Sequence, residues 1–264
     1  MTQPLKFYKL HGLGNDYIYF DGVCEQIDIN KIVPQTTMLC HRNKGIGGDG
    51  IVIIQKSELA DFKMQIWNSQ SGKEAEFCGN ALRCVAYLID KLGLMKQEMS
   101  IVTKAGIVKA KVLAEDVKVK MFYPPKVAEK EQKIKVYDKD FTYHFVDVGN
   151  PHVVINVDDL EEFNVAKYGS AIEQSVDIFP QGVNVEFYST KNNELKMRVW
   201  ERGAGETLAC GSGACAVAAV YKKINNDTKI KVDMPGGSLW LQWEDDDFYM
   251  IGQVKFIYQG EVFL

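Results

Sequence analysis

Cys78-Gly79-Asn80-Ala81-Leu82-Arg83-Cys84-Val85-Ala86 and Cys210-Gly211-Ser212-Gly213-Ala214-Cys215-Ala216-Val217-Ala218 are two versions of one stretch, half a chain apart in a sequence of 264 residues. Each opens on a cysteine, passes through a glycine-containing turn and runs on as an apolar segment. Other landmarks recur in the same order at nearly the same offset. Lys63, Met64 and Trp67 return as Lys196, Met197 and Trp200, and Gly14-Asn15 returns as Gly149-Asn150. Gly48 ahead of Ile51 to Ile54 matches Gly182 ahead of Val185 to Tyr188. Shared order and spacing imply a duplicated fold, with one thiol from each half available to a shared cleft.

The segments that follow the two cysteines read as helices, over 80 to 92 and 212 to 223. Leu82, Cys84, Val85, Ala86, Leu88 and Ile89 leave little polar face in the first, and Ala214 to Val220 leave less in the second. A helix apolar on nearly every side must be surrounded. Weaker helical patterns lie near 28 to 42 and 165 to 174. Most of the remaining structure reads as strands, at 51 to 54, 64 to 67, 143 to 148, 153 to 157, 183 to 188, 196 to 200, 229 to 233, 238 to 243 and 248 to 258. Val108, Ala110 and Val112 alternate with Lys109 and Lys111, and Val117, Val119 and Met121 alternate with Lys118 and Lys120. That pattern predicts a half-buried hairpin turning near Glu115 and Asp116. The fold class expected is α+β: a curled, mostly antiparallel sheet around one central helix, built twice.

Tyr123-Pro124-Pro125 breaks the pattern near the midpoint and marks the linker. The domains expected are residues 1 to 123 and 124 to 252, with 253 to 264 crossing back to complete the first sheet. The acidic run Glu244 to Asp247 reads as a solvated hairpin turn.

Composition bounds the function. A hydrophobic share of 46% with 25% charged residues is that of an ordinary soluble globular protein, and a net charge of −4 offers no basic surface for nucleic acid or an acidic membrane. No apolar run approaches the roughly 18 residues of a membrane span, and the N-terminus lacks a signal-peptide pattern, so a cytoplasmic location is expected. The six cysteines form no zinc pattern: only Cys210 and Cys215 are close in sequence, and none of the four histidines completes a ligand set. In a reducing compartment these thiols are expected to be free. Cys24, Cys40, Cys84 and Cys215 read as small buried hydrophobes.

Cys78 and Cys210 invite a different reading. A cysteine at the start of a buried helix faces unpaired backbone N–H groups and the positive end of the helix dipole. That setting is expected to lower the thiol pKa from about 8.5. Two such groups suggest a base and an acid on opposite faces of one substrate carbon, with the same N–H groups able to hold a carboxylate. Each sulfur could instead simply fill space. The repetition of a cap-and-glycine context, Gly79-Asn80 and Gly211-Ser212, weighs against that.

The run from Glu201 through Arg202, Gly203, Ala204, Gly205, Glu206, Thr207, Leu208, Ala209 and Cys210 to Ala216 resembles the signature of the diaminopimelate epimerase family. Three further stretches agree: His11-Gly12-Leu13-Gly14-Asn15-Asp16, Glu76-Phe77-Cys78-Gly79-Asn80 with Arg83 and Cys84, and Gly149-Asn150-Pro151-His152. The match spans the chain in the family's order. It implies a cofactor-independent isomerase, without pyridoxal phosphate, that interconverts LL- and meso-2,6-diaminopimelate for lysine and peptidoglycan precursors. It also implies a homodimer.

By the same resemblance, Cys78 and Cys210 are the thiolate and thiol of a two-base mechanism. Asn15, Asn68, Gly79, Asn80, Asn150, Asn184, Glu201, Arg202, Gly211 and Ser212 are the substrate contacts, and His152 and Glu201 tune the cysteines. Arg202 has its own rationale as a bidentate carboxylate partner. The four asparagines taken singly are equally good turn residues. No metal is implied.

Three features depart from the family pattern. One extra residue between Asn68 and Cys78 predicts a bulged loop over Ser69 to Lys73. Ala81 stands where the family has glycine, which is harmless only if its backbone is helical. Gly50 replaces a substrate-contacting glutamine. The competing readings are a proline or hydroxyproline racemase or a phenazine-type isomerase of the same architecture, and a non-catalytic amino-acid-binding protein. The long run to Ala216 argues against the first group and the two retained cysteines against the last.

Overall fold

A computed structural model describes residues 4–191 and 194–264. The first three residues, where the expected first domain begins and the N-terminal signal was sought, lie outside them. The chain divides into two units, one of residues up to Lys120 together with Gly252–Leu264, the other Met121–Ile251. The sequence expectation put the first limit at Tyr123 and the second between residues 252 and 253.

The first unit contains β1 (Leu5–Gly12), β2 (Asn15–Asp21), α1 (Ile29–Ile32), α2 (Thr36–Cys40), β3 (Gly50–Lys56), β4 (Phe62–Asn68), β5 (Glu74–Ala75), α3 (Gly79–Lys91), β6 (Glu98–Thr103), β7 (Gly106–Val112) and β8 (Asp116–Lys120). A two-residue turn, Leu13-Gly14, joins β1 to β2 with φ of 58° and 87°. Both values are left-handed, the twist that a tight hairpin prefers and that glycine adopts without strain. β2 runs parallel to β3 with Tyr17 opposite Gly50, β3 turns back antiparallel on β4, and β4 is parallel to β6. β6, β7 and β8 form an antiparallel meander.

The second unit contains β9 (Lys126–Val127), β10 (Gln132–Val136), β11 (Lys139–Asp147), β12 (Pro151–Asn156), α4 (Val165–Glu173), β13 (Asn184–Lys191), β14 (Glu194–Glu201), β15 (Gly205–Thr207), α5 (Gly211–Asn225), β16 (Lys229–Met234), β17 (Gly237–Glu244) and β18 (Asp247–Gln253). Its pairings repeat those of the first. β11 and β12 are an antiparallel hairpin, β12 is parallel to β13 with His152 opposite Asn184, β13 is antiparallel to β14, and β14 is parallel to β16. β19 (Lys255–Val262) then adds to the first unit, antiparallel to β1.

Each unit closes around one helix. α3 packs against β1, β2, β7 and β8, and α5 against β12, β13, β16 and β17. Every residue from Asn80 to Ala86 is buried, as is every residue from Gly213 to Val220. Sealing a Val, Leu or Ile side chain in such a core contributes about 1.5 to 3 kcal/mol, so the surrounded helix anchors its sheet. Among the described residues no helix is long and apolar enough to cross a membrane. The segment expected as one helix over 28 to 42 is instead two short helices separated by a tighter turn at Val33–Gln35, where Pro34 cannot donate to the helical ladder. Cys24 is exposed, not buried, whereas Cys40, Cys84 and Cys215 are buried.

Candidate active site

Cys78 is the N-cap of α3, with extended backbone at φ −148° and ψ 113°. The Tyr17 hydroxyl donates toward its sulfur at 3.7 Å, and the thiol donates to Asn15 Oδ1 at 3.5 Å. Asn80 Nδ2 reaches the same Oδ1 at 3.4 Å, and Arg83, wholly buried one turn into the helix, donates to Asn80 Oδ1 at 2.7 Å. From behind, Asn15 Nδ2 is held by Asp49 Oδ2 at 2.7 Å. Asn15, Cys78, Gly79 and Asn80 are thus one connected group. Asn68 ends β4 opposite Gly50, exposed, and its side chain is not hydrogen-bonded to that group among the described residues.

Cys210 is the N-cap of α5, also extended at φ −126° and ψ 114°. Its sulfur accepts from the Gly213 N–H at 3.4 Å and lies 3.4 Å from the Ser212 hydroxyl. Glu201, at the end of β14, accepts from the Thr207 hydroxyl and shares a hydrogen bond with Cys210. Burial pushes the Glu201 carboxyl up, and the bonds from Thr207 and Cys210 only partly offset it. Asn184 Nδ2 donates to the Pro151 carbonyl at 3.0 Å, and its Oδ1 receives the Arg202 N–H at 3.0 Å. The Arg202 guanidinium donates to the Gln181 carbonyl at 3.0 Å.

Among the described residues no hydrogen bond joins His152 to Cys210. Its Nε2 faces Asn150 Oδ1 at 3.1 Å and its Nδ1 faces Glu186 Oε1 at 2.7 Å. The expected lowering of both thiols by their helix termini is not what results. Burial is the largest influence on each and raises both above the ordinary value. At Cys78 the N–H groups of Ala81 and Asn80, the Tyr17 hydroxyl and the Arg83 charge pull back against it. At Cys210 the charges of Glu201 and Glu186 add to burial, and the thiol stands well above its ordinary range. Cys84, where burial prevails over the Tyr19 hydroxyl and the Arg83 charge, is pushed up to about 12, the behaviour of an inert core thiol.

Ala81 lies in the helical part of α3, so its methyl carries no backbone strain. Ser69 to Lys73 form the loop between β4 and β5, closed by Asn68 N–H to the Lys73 carbonyl at 3.1 Å. Gly50 could hold no side chain here, because a Cβ would lie 2.2 Å from the Trp67 carbonyl oxygen. Sequence reasoning passed over Tyr17, Asp49, Arg83 and Glu186. The signal for three of them was a polar residue inside an apolar run, or a position matching His152 in the repeat. Among the described residues no group of three or more His, Cys, Asp or Glu is placed to hold a metal ion.

A family model for diaminopimelate epimerase matches residues 7–126 and 144–257. The chain belongs to the diaminopimelate epimerase family. It is 41% identical to the diaminopimelate epimerase of Carboxydothermus hydrogenoformans, over 98% of this chain and 100% of that one. It is 42% identical to that of Methanococcus maripaludis strain C6, over 98% and 99%. Family membership makes it an amino-acid isomerase of lysine biosynthesis, with diaminopimelate as the substrate. In fold it is similar to a Bacillus anthracis phenazine biosynthesis protein of the PhzF family, at a TM-score of 0.77 and 16% identity over 99% of this chain and 100% of that one. It is also similar to a hydroxyproline epimerase from Agrobacterium vitis, at a TM-score of 0.71 and 15% identity over 98% and 91%.

Proposed function

We propose that Cys78 and Cys210 are the two proton-transfer groups that interconvert LL- and meso-2,6-diaminopimelate without a cofactor. One sulfur, as thiolate, takes the α-proton. The electron pair left on carbon spreads toward the α-carboxylate, and the other thiol delivers its own proton to the opposite face. Inversion leaves the thiolate and thiol exchanged, so the reverse reaction uses the same pair. Backbone N–H groups at the starts of α3 and α5, including those of Gly79, Asn80, Gly211 and Ser212, are suited to hold the carboxylate as charge grows on it. Asn15, Asn68, Asn150, Asn184, Glu201 and Arg202 divide the remaining polar contacts with substrate, and Glu201 and His152 set the electrical surroundings of Cys210.

The observation that carries this reading is the matched position of the two thiols. Each is the N-cap of its unit's surrounded helix, and the two sit in opposite electrical settings, Arg83 beside Cys78 and Glu201 beside Cys210. A cytoplasmic homodimer accompanies the reading as what the resemblance implies, and sedimentation velocity tests the dimer. The mechanism is tested by C78A and C210A. Each is expected to lose epimerisation by at least about a thousandfold while keeping its fold. Turnover near the parent rate in either purified, folded variant, followed by α-proton exchange in heavy water, would remove the two-base assignment.

A further inference from the structure

β13 carries six consecutive buried residues from Asn184 to Ser189, and one of them is Glu186, with no exposed surface. A carboxylate taken out of water costs several kcal/mol unless it is paired, and an apolar residue of similar size would be an easier occupant. The first repeat has that apolar residue. Tyr17 opposite Gly50 and Tyr19 opposite Val52 in β2 and β3 correspond to His152 opposite Asn184 and Val154 opposite Glu186 in β12 and β13. His152 therefore stands where the first half has Tyr17, and Glu186 where it has Val52. One half is neutral at both places and the other holds a buried pair at both.

The space above Glu186 is made for it. A Cβ on Gly213, in the first turn of α5, would lie 2.7 Å from Glu186 Oε1 and 3.1 Å from its Cγ. Glycine there lets the carboxyl seat under the helix start whose N-cap is Cys210, and the Gly213 N–H is the group that donates to the Cys210 sulfur. The corresponding residue in the first half is Ala81, so the methyl returns where the carboxylate is absent. The ionisable groups around the Glu186 carboxyl are His152 from β12, Glu201 from β14 and Cys210 from α5. Its second oxygen, Oε2, is buried without a hydrogen-bond partner among the described residues, so its charge is not spread into a wider network.

The pair also fixes a ring. With Nε2 donating to Asn150 Oδ1, the ring is turned so that Nδ1 meets the Glu186 carboxyl. We propose that Glu186 is a positioning residue: its carboxyl, bonded to His152 Nδ1 and seated beneath the first turn of α5, fixes the ring that orients Asn150 and supplies a negative charge beside Cys210 that Val52 denies Cys78. This rests on the reading of Cys210 and Asn150 as site residues.

The test separates charge from orientation. E186Q keeps the shape and can still donate to His152 Nδ1, but carries no charge. E186V copies the first repeat and gives the ring no partner. With [3-13C]cysteine-labelled protein, the Cys210 and Cys78 thiols are titrated by NMR in parent and variants without substrate. Failure there is thus distinct from failure of the two-thiol mechanism, which proton exchange tests. In both variants the Cys210 midpoint is expected to fall by about one pH unit or more, with Cys78 unmoved. KM for LL-diaminopimelate should rise severalfold in E186V and stay within about twofold in E186Q. A Cys210 midpoint in E186Q no lower than the parent's overturns the proposal, and this variant decides even if E186V fails to fold.

Discussion

Lys9 is a buried lysine on β1, and what makes it tolerable is Asp16, whose carboxylate meets its ammonium and also takes Arg42 at 2.7 Å. Burial alone would raise the Asp16 carboxyl, but the bonds from Arg42 and Lys9 outweigh it and hold the group below its ordinary value. Removing the charge leaves a buried cation unpaired, so Asp16→Asn is expected to lower stability at neutral pH by about 3 kcal/mol in urea denaturation. A depressed folded-state value means the contribution is present above the unfolded carboxyl value near pH 4 and fades as pH falls through the folded one. The gap between parent and variant should therefore narrow on acidification below about pH 4. A gap that is constant with pH would place the effect in packing. The two cysteines were legible because a repeat exposes what is shared between halves. Glu186 was not, because it is what the halves do not share, and its buried carboxyl is explained by His152, 34 residues away.

α4 lies against β14 through a glycine, since a Cβ on Gly169 would stand 2.5 Å from the Trp200 Cβ. In an exposed helix, alanine would gain about 1 kcal/mol over glycine. Here the methyl must push Trp200, whose indole N–H donates to Glu173 at 2.7 Å, while the other oxygen of Glu173 accepts from the Gly203 N–H at 2.8 Å beside Arg202. Overpacking of this kind costs about 1 to 3 kcal/mol, so Gly169→Ala is expected to lower the denaturation midpoint and raise KM through the displaced Arg202. A raised midpoint would show that helix propensity prevails. Elements announced by period were read well: the 106 to 120 hairpin alternates cleanly, and the acidic turn closes β17 on β18 with Glu244 opposite Asp247. β1 and β2 escaped notice for opposite reasons. Lys9 interrupts the apolar face of β1, and β2 is buried along nearly its whole length, so no alternation marks it. The segment 248 to 258 read as one strand is two, β18 and β19, divided at Val254.

Duplication accounts for most of the molecule's pairings, and β19 is the element that departs from chain order. It pairs with β1 from Leu5 opposite Val262 to His11 opposite Lys255, and its aromatics meet those of β1, Tyr258 against Phe7 at 5.9 Å and Phe256 against Tyr8 at 6.4 Å. Lys91 at the end of α3 lies 4.9 Å over the Phe256 ring, so the strand also touches the far end of the helix that Cys78 caps. Deleting residues 255 to 264 would strip β1 of one hydrogen-bonded neighbour and expose Phe7 and Tyr8, turning a covered strand into a bare edge. The first unit should loosen as a cooperative block. Amides of β1 and β2 are expected to exchange about a hundredfold faster or more, while those of β12, β13 and β14 keep their protection. Because Asn15 and Cys78 reside in the loosened unit, epimerisation should be lost although the second unit stays folded. Hydrogen exchange read by mass spectrometry checks the pattern strand by strand, and unchanged protection of β1 in the truncated chain would mean that this sheet closes without its last strand.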